Sequence, residues 1–331
     1  DKLFDATAPD AVDQLAAGML SQLTPPWSRW FALAAGIDAA PQDREALSAE
    51  LDRAAAILQS NMDRSNFAVE IHQCYLDLVT AGTATLMCEE AAPGEPTAFS
   101  FSAVPLSQVV LEESPGGQLD TTFRLSELTP ARFRARFPDA MLGESEERHC
   151  RENNEASLSV LEAVMPEGSA YAYTAVLEKG LDGGGEPMVL AEGRFDTSPF
   201  ITFRWLKAPG EVYGRSPVMK ALPDIKTANK VVELVLKNAS IAVTGIWQAD
   251  DDGVLNPATI KLAPGTIIPK AVGSAGLTPL EAPGRFDVSQ IVLDDLRAAI
   301  RRALLADKLG QINSPKMTAT EVLERAAEMA R

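Results

Sequence analysis

The sequence predicts an α+β fold in which helices and strands occupy separate stretches of the chain instead of alternating. Three observations point there. Residues 9–82 carry apolar side chains at helical spacing, and residues 83–207 break into short β-rich runs divided by Gly and Pro. Residues 216–240 then return to a single long helical stripe. Such segregation argues against a parallel nucleotide-binding sheet.

In PDAVDQLAAGMLSQL (9–23), Val12, Leu15, Ala16, Met19, Leu20 and Leu23 lie on one helical face. Pro25 and Pro26 end that helix, because neither donates a backbone hydrogen bond and Pro25 pushes Thr24 out of the α region. Trp27, Trp30 and Phe31 form an aromatic knot expected beside the helix end. PQDREALSAELDRAAAILQSNM and SNFAVEIHQCYLDLVTAG read as two more helices, the second stopping at Gly82.

From Thr83 the period shortens. TATLMCEE, TAFSFSAVP, SQVVLEES and LDTTFRLSEL read as strands, TPARFRARF as a brief helix, and residues 139–157 as a polar loop. LSVLEAVMP, YAYTAVLE, PMVLAEGRF and FITFRWLK return to strand, with GLDGGGE as a hairpin connection. SPVMKALPDIKTANKVVELVLKNAS (216–240) predicts one helix with Val218, Leu222, Ile225, Ala228, Val232 and Val235 on one stripe; Pro223 is expected to kink it or mark a joint. A turn-rich β module follows, and then a helix from about Val288 to Ala306. Its early Asp294 and Asp295 and late Arg297, Arg301 and Arg302 complement the helix dipole. Thr318 and Glu321 have capping-box spacing, so a last helix is expected from there.

Composition bounds the function. At 331 residues and 46% hydrophobic, the chain can bury a core and hold more than one region. Its 46 acidic against 30 basic side chains, net −16, oppose tight gripping of nucleic acid, which needs lysine and arginine at phosphates. That excludes gripping, not handling. An apolar run of about 18 residues is absent, so no membrane span is expected. DKLFDATAPD has neither the basic flank nor the apolar stretch of a secretory leader. Cys74, Cys88 and Cys150 lack CxxC spacing, which suits reduced thiols in a cytoplasmic setting.

Few residues propose chemistry. His72, Cys74, Cys88 and the adjacent His149–Cys150 match neither a zinc site nor a cysteine-hydrolase motif. Asp250–Asp251–Asp252–Gly253 lacks the alternation of a calcium loop and reads as an acidic turn. GLDGGGE precedes a strand, so it cannot build a phosphate cradle at a helix N-terminus. A GxxxxGK[ST] loop is missing, so no ATP-driven motor is encoded. Lys226, Lys230, Glu233 and Lys237 share one side of the long helix, either as a solvated face of i,i+4 pairs or as a subunit contact or lumen-facing ring of mixed charge. KLGQINSPKM (308–317) interrupts two strong helix formers with a lysine near each end, as a surface connection or as a loop that meets phosphates.

YGRSPVMKALPDIKTANKVVELVLK (213–237), PGTIIP (264–269), MTATEV (317–322) and LFDATAPDAVDQLAAGMLSQLTPPWSRWF (3–31) together resemble the portal, or head-to-tail connector, proteins of short-tailed bacteriophages. The resemblance implies an α+β subunit of a ring, usually of twelve copies, at one capsid vertex. Residues 1–212 would be the wing, 213–240 the first stem helix, 241–285 the clip, 286–306 the second stem helix, 307–317 the tunnel loop, and 318–331 the start of a helix returning to the wing. Lys308, Gln311, Asn313 and Lys316 would line the DNA channel, Lys226, Lys230 and Lys237 the stem face, and Trp247, Asp250, Asp251 and Asp252 the docking surface of the clip. Double-stranded DNA would pass through, with terminase, head–tail adaptor and tail proteins, major capsid protein and scaffolding protein as partners, and with no cofactor or catalysis. The setting would be the virion, assembled in the host cytoplasm.

Two departures accompany the resemblance. The family's chains extend beyond both ends of this sequence, and IAVTGIWQ lacks the paired prolines expected where the first stem helix enters the clip. A minor virion structural or adaptor protein that never encircles DNA is the second reading. A thiol-dependent enzyme using Cys88 or Cys74 with His72 is the third.

Overall fold

The computed structural model describes residues 2–26, 28–36, 41–140, 142, 147–148, 157–177, 187–244, 247–248, 278–279 and 286–306. Most of the expected loop at 139–157, the GLDGGGE connection and nearly all of the turn-rich module between 245 and 285 lie outside these residues. By contact the chain divides into two units, residues 9–220 with 303–331 and residues 1–8 with 221–302. The expected wing, 1–212, thus does not coincide with one unit.

The larger unit is α+β. Helix α1 (Thr7–Leu23) buries Ala8, Ala11, Val12, Leu15 and Ala16, the i, i+3, i+4 stripe its sequence carries. It stops before the two prolines, where the buried Thr24 hydroxyl meets the Tyr75 hydroxyl at 3.2 Å. Helices α2 (Pro41–Arg64) and α3 (Phe67–Ala81) follow. Trp30 does not simply close the end of α1; it stacks 5.9 Å from Phe67 at the start of α3, with Phe31 edge-on at 5.0 Å. Trp27 lies outside the described residues.

Two antiparallel sheets are built from short strands. Strand β1 (Thr83–Glu90) is central in the order β2–β1–β8, between β2 (Phe99–Val104) and β8 (Phe200–Arg204). Strands β3 (Val109–Glu113), β4 (Leu119–Leu128), β5 (Leu158–Glu167), β6 (Ala170–Leu177) and β7 (Met188–Phe195) form a meander in sequence order. Helix α4 (Pro130–Arg136) and the residue after it press Phe133 and Phe137 onto Leu158, Val160, Ala175 and Leu177 of the meander. Ile71, Cys74, Tyr75 and Leu78 of α3 pack on Ala84, Leu86 and Phe101 of the smaller sheet. The sheets share a third cluster: Met87, Val104 and Phe200 from one, and Val109, Leu111 and Val164 from the other.

The outer edge of β2 is closed by side chains. Asn66 donates to the Phe101 carbonyl at 2.7 Å and accepts the Phe101 N–H at 2.9 Å, while Glu70 accepts the Ala103 N–H at 2.8 Å. Backbone groups that an edge strand would offer to another chain are thereby occupied.

Helix α3 ends at Gly82, left-handed with φ 81, whose N–H bonds the Leu78 carbonyl. The chain returns at Gly214, and the two backbones nearly touch. A Cβ on Gly82 would stand 2.7 Å from the Ser216 nitrogen, and one on Gly214 would fall inside contact distance of the Gly82 carbonyl oxygen. Around this point the Trp205 N–H donates to Gly82 at 2.9 Å and the Gly214 N–H to the buried Thr83 hydroxyl at 2.8 Å. Ser216 then donates to the Thr80 carbonyl at 2.8 Å and accepts the Met219 N–H at 2.9 Å, so one hydroxyl closes α3 and caps the next helix.

That helix, α5 (Pro217–Thr244), has proline at its first position, where the missing N–H is not needed. It runs through Pro223 as one element, not as two helices with a joint, and extends four residues past the expected Ser240. The clip boundary at 241 therefore falls within helix. At about 1.5 Å per residue α5 spans roughly 42 Å. Helix α6 (Phe286–Ala303) ends before the expected Ala306, and Leu305 takes a positive φ of 56 just beyond it. In the smaller unit α5 buries Ala221 and Ala228, and α6 buries Leu293 and Ile300, each pair seven residues apart. The expected stripe is only partly covered, since Leu222 stays exposed. Two residue pairs, Trp247–Gln248 and Thr278–Pro279, form a short antiparallel ladder.

Gly214→Ala should destabilise the chain by about 3 kcal/mol or more, since the added methyl meets backbone that cannot yield. Gly36→Ala, where nothing lies within 4 Å, should change stability by less than about 0.5 kcal/mol. Urea unfolding of both variants measures the difference; equal midpoints would refute the account of the close approach.

Candidate functional site

The lysines expected on a stem face lie on the long helix α5. Lys226, Lys230 and Lys237 are exposed on α5. Glu233 accepts from Lys230 at 2.9 Å and from Lys237 at 2.6 Å, one turn away on either side. Those two hydrogen bonds, from Lys237 and then Lys230, hold the Glu233 carboxyl down at about 2. Two of the three lysines are thus partly neutralised by their own helix. Screening keeps such exposed pairs weak.

One turn of α5 carries a polar device that the sequence reading missed. Asn229 Oδ1 accepts the N–H groups of Phe4 at 2.6 Å and Asp5 at 3.1 Å, and its Nδ2 donates to the Lys2 carbonyl at 3.1 Å. Asp5, 7% exposed, accepts the Thr7 N–H at 2.9 Å with one carboxylate oxygen. Its other oxygen accepts Arg297 of α6 through Nε at 2.9 Å and Nη2 at 2.8 Å. Burial alone would raise the Asp5 carboxyl, but the hydrogen bonds from Thr7 and Arg297 outweigh it and the net displacement is downward. An asparagine inside a long helix, a poor choice for propensity, was the available signal.

The larger unit holds a second buried charge. Glu162, 1% exposed on β5, accepts Arg136 through Nη2 at 2.7 Å and Nε at 3.1 Å, and the Tyr173 hydroxyl at 2.9 Å. Arg124 stands 3.5 Å from its other oxygen, and Glu89 pairs with Arg136 at 3.2 Å. Burial and the Glu162 charge push the Tyr173 phenol well above its usual range. A cavity of about 590 Å³ opens beside this group, walled by Phe137, Tyr173, Phe195 and Phe200. Charges here balance pairwise, which marks a structural network. Leu158, Val160, Glu162 and Val164 alternate on one face, so the sequence did place a glutamate in the buried phase of a strand.

The thiols are poor nucleophile candidates. Burial, with Asp77 and Glu70 nearby, pushes the Cys74 thiol up to about 12, and burial with Glu89 raises Cys88. Both move away from the thiolate that such chemistry requires. Cys74 is buried and donates to the Thr85 carbonyl at 3.6 Å. No group of three metal-binding side chains is found among the described residues, and no described helix is long and apolar enough to cross a membrane.

The remaining expected site residues are not brought together here. Trp247 lies on the short ladder. Asp250, Asp251 and Asp252, and the loop residues Lys308, Gln311, Asn313 and Lys316, lie outside the described residues, as do His149, Cys150 and the helix expected from 318.

Comparison with known proteins gives a consistent answer. The family described as bacteriophage head to tail connecting protein matches residues 1–331. A protein described as a probable portal protein of Bordetella phage BPP-1 is 25% identical over 99% of this chain and 60% of its own length. The portal protein of Enterobacteria phage T3 is 22% identical over 82% of this chain and 50% of its own length. The chain thus spans between half and three-fifths of these relatives. Among solved structures, a chain from the virion of a native gene transfer agent particle aligns at a TM-score of 0.43 and 11% identity, over 97% of this chain and 71% of that one.

Asp5→Asn should lower stability at neutral pH and flatten the acid limb. A carboxyl depressed in the folded state stabilises above its unfolded value near 3.8 and loses that contribution as pH falls through the folded one. The gap between wild type and variant should therefore shrink from about pH 5 toward pH 2, as read by denaturant unfolding across that range. A gap that stays constant would contradict the ion pair. Glu162→Ala, which strands Arg136 in a half-buried site, should cost about 3–5 kcal/mol by the same assay.

Proposed function

Because the chain belongs to the bacteriophage head to tail connecting protein family, we propose that it is the portal subunit of a virion, forming a ring at one capsid vertex through which DNA is packaged and ejected. The family match along the whole chain carries this reading. In it, α5 and α6 are the stem helices, the residues between them the clip that docks terminase and tail adaptors, 307–317 the tunnel loop, and the sheet-bearing unit most of the wing. Packaging energy comes from the separate, ATP-driven terminase.

The physical chemistry of the described residues supports the reading. Leu234 and Leu236 on α5, and Ile291 and Val292 on α6, are between 43% and 66% exposed, apolar area that contacts with neighbouring copies would remove from water. A closed ring needs different faces of the subunit to meet. The net charge of −16 suits a channel that conducts phosphates without binding them tightly, and the Glu233 pairs damp two of the three lysines on α5. Only lumen-lining charges matter, since screening acts beyond about 8 Å at physiological salt.

Mass photometry and negative-stain class averages of the purified chain should show closed rings with more than two subunits. Monomers or twofold dimers at every concentration would favour the adaptor reading. In assembled capsids, Lys308→Ala with Lys316→Ala should leave rings intact and alter packaged DNA length or its salt-dependent leakage. Wild-type packaging and retention would remove the loop from the channel, and failure to form rings would make it a subunit contact.

A further inference from the structure

The polar device on α5 has a property that its members do not have singly. Asn229 sits on α5 and Arg297 on α6, and the two side chains share no hydrogen bond with each other. Each instead holds residues 2–5. Asn229 takes two N–H groups and one carbonyl of that segment with one side-chain amide. Arg297 takes the carboxylate at its end in a forked, charge-assisted contact. Segment 2–5 therefore bridges the helices.

The apolar contribution around it is small. Among the described residues of this unit, Ala8, Ala221, Ala228, Leu293 and Ile300 are the buried hydrophobics, and three of them are alanines. With so little area to bury, directional contacts carry a large share of what aligns α5 with α6. Asp5 cannot be released cheaply either, since it is buried and fully engaged.

We propose that residues 2–5 are a latch that couples α5 to α6, with Asn229 and Arg297 as its two catches. Motion of one helix is transmitted to the other through that segment. Loss of either catch frees the other helix at a distance. This holds whether or not the chain forms a ring.

The experiment is hydrogen exchange on the full chain, in the assembly it adopts, with Asn229→Ala, Arg297→Gln and the double variant. Expected is exchange at least about ten-fold faster for amides of α6 in Asn229→Ala and for amides of α5 near 229 in Arg297→Gln. The double variant should be no faster than the faster single one, since both break a single connection. If each substitution speeds exchange only in its own helix and in residues 2–7, and the effects multiply in the double variant, the latch is refuted. Should Asn229→Ala fail to fold, Asn229→Asp, which keeps the acceptor and loses the donor to Lys2, decides by the same readout.

Discussion

In the larger unit the entry to the sheets and the exit from them are tied together at a place where two backbones meet without side chains. Gly82 ends α3 and directly precedes β1; Gly214 ends the excursion through both sheets and leads into α5. Their approach is closer than any Cβ permits. The hydrogen bonds there form a closed set: Gly82 carbonyl with Trp205, Thr83 hydroxyl with Gly214, and Ser216 with both Thr80 and Met219. This set fixes where the chain leaves the larger unit and enters α5. Its first turn is fixed by Ser216 and Pro217 before any packing along its length.

The order and type of the elements were legible in the sequence, because periods of two and 3.6 differ strongly over eight or more residues. Gly82, at the end of a strong stripe, was legible as a helix stop for the same reason. Its meeting with Gly214 was not: the close approach joins positions more than 130 residues apart, and nothing local in YGRSP announces it. Helix ends were the least exact. Leu304 and Ala306 continue a buried pattern past Ala303, yet Leu305 turns left-handed between them. Pro223 read as a kink or a joint; α5 runs through it as one element, since in the second turn of a helix capped so firmly the loss of one N–H is tolerated.

The candidate site divides in the same way. Lysines on one side of α5 could be found by spacing, and Glu233 between two of them by i,i+3 and i,i+4 arithmetic. Asn229 stood out only as a poor helix former, and its partners could not be read, since they are backbone groups more than 220 residues away; Asp5 and Arg297 are as far apart. Asn66 poses the same difficulty. It reads the backbone of Phe101 as Asn229 reads that of Phe4 and Asp5, and composition distinguishes neither from an ordinary surface amide.

The closed edge of β2 bears on what this chain would do beside copies of itself. Any oligomer raises the local concentration of its own subunits far above that of the surrounding solution. Under such crowding an open strand edge competes with the intended contact, because strand pairing is generic and does not require matching surfaces. Asn66 and Glu70 occupy the donors and acceptor that would start such a pairing. Asn66, just before α3, and Glu70, in its first turn, thereby remove a generic pairing site without adding any specific contact.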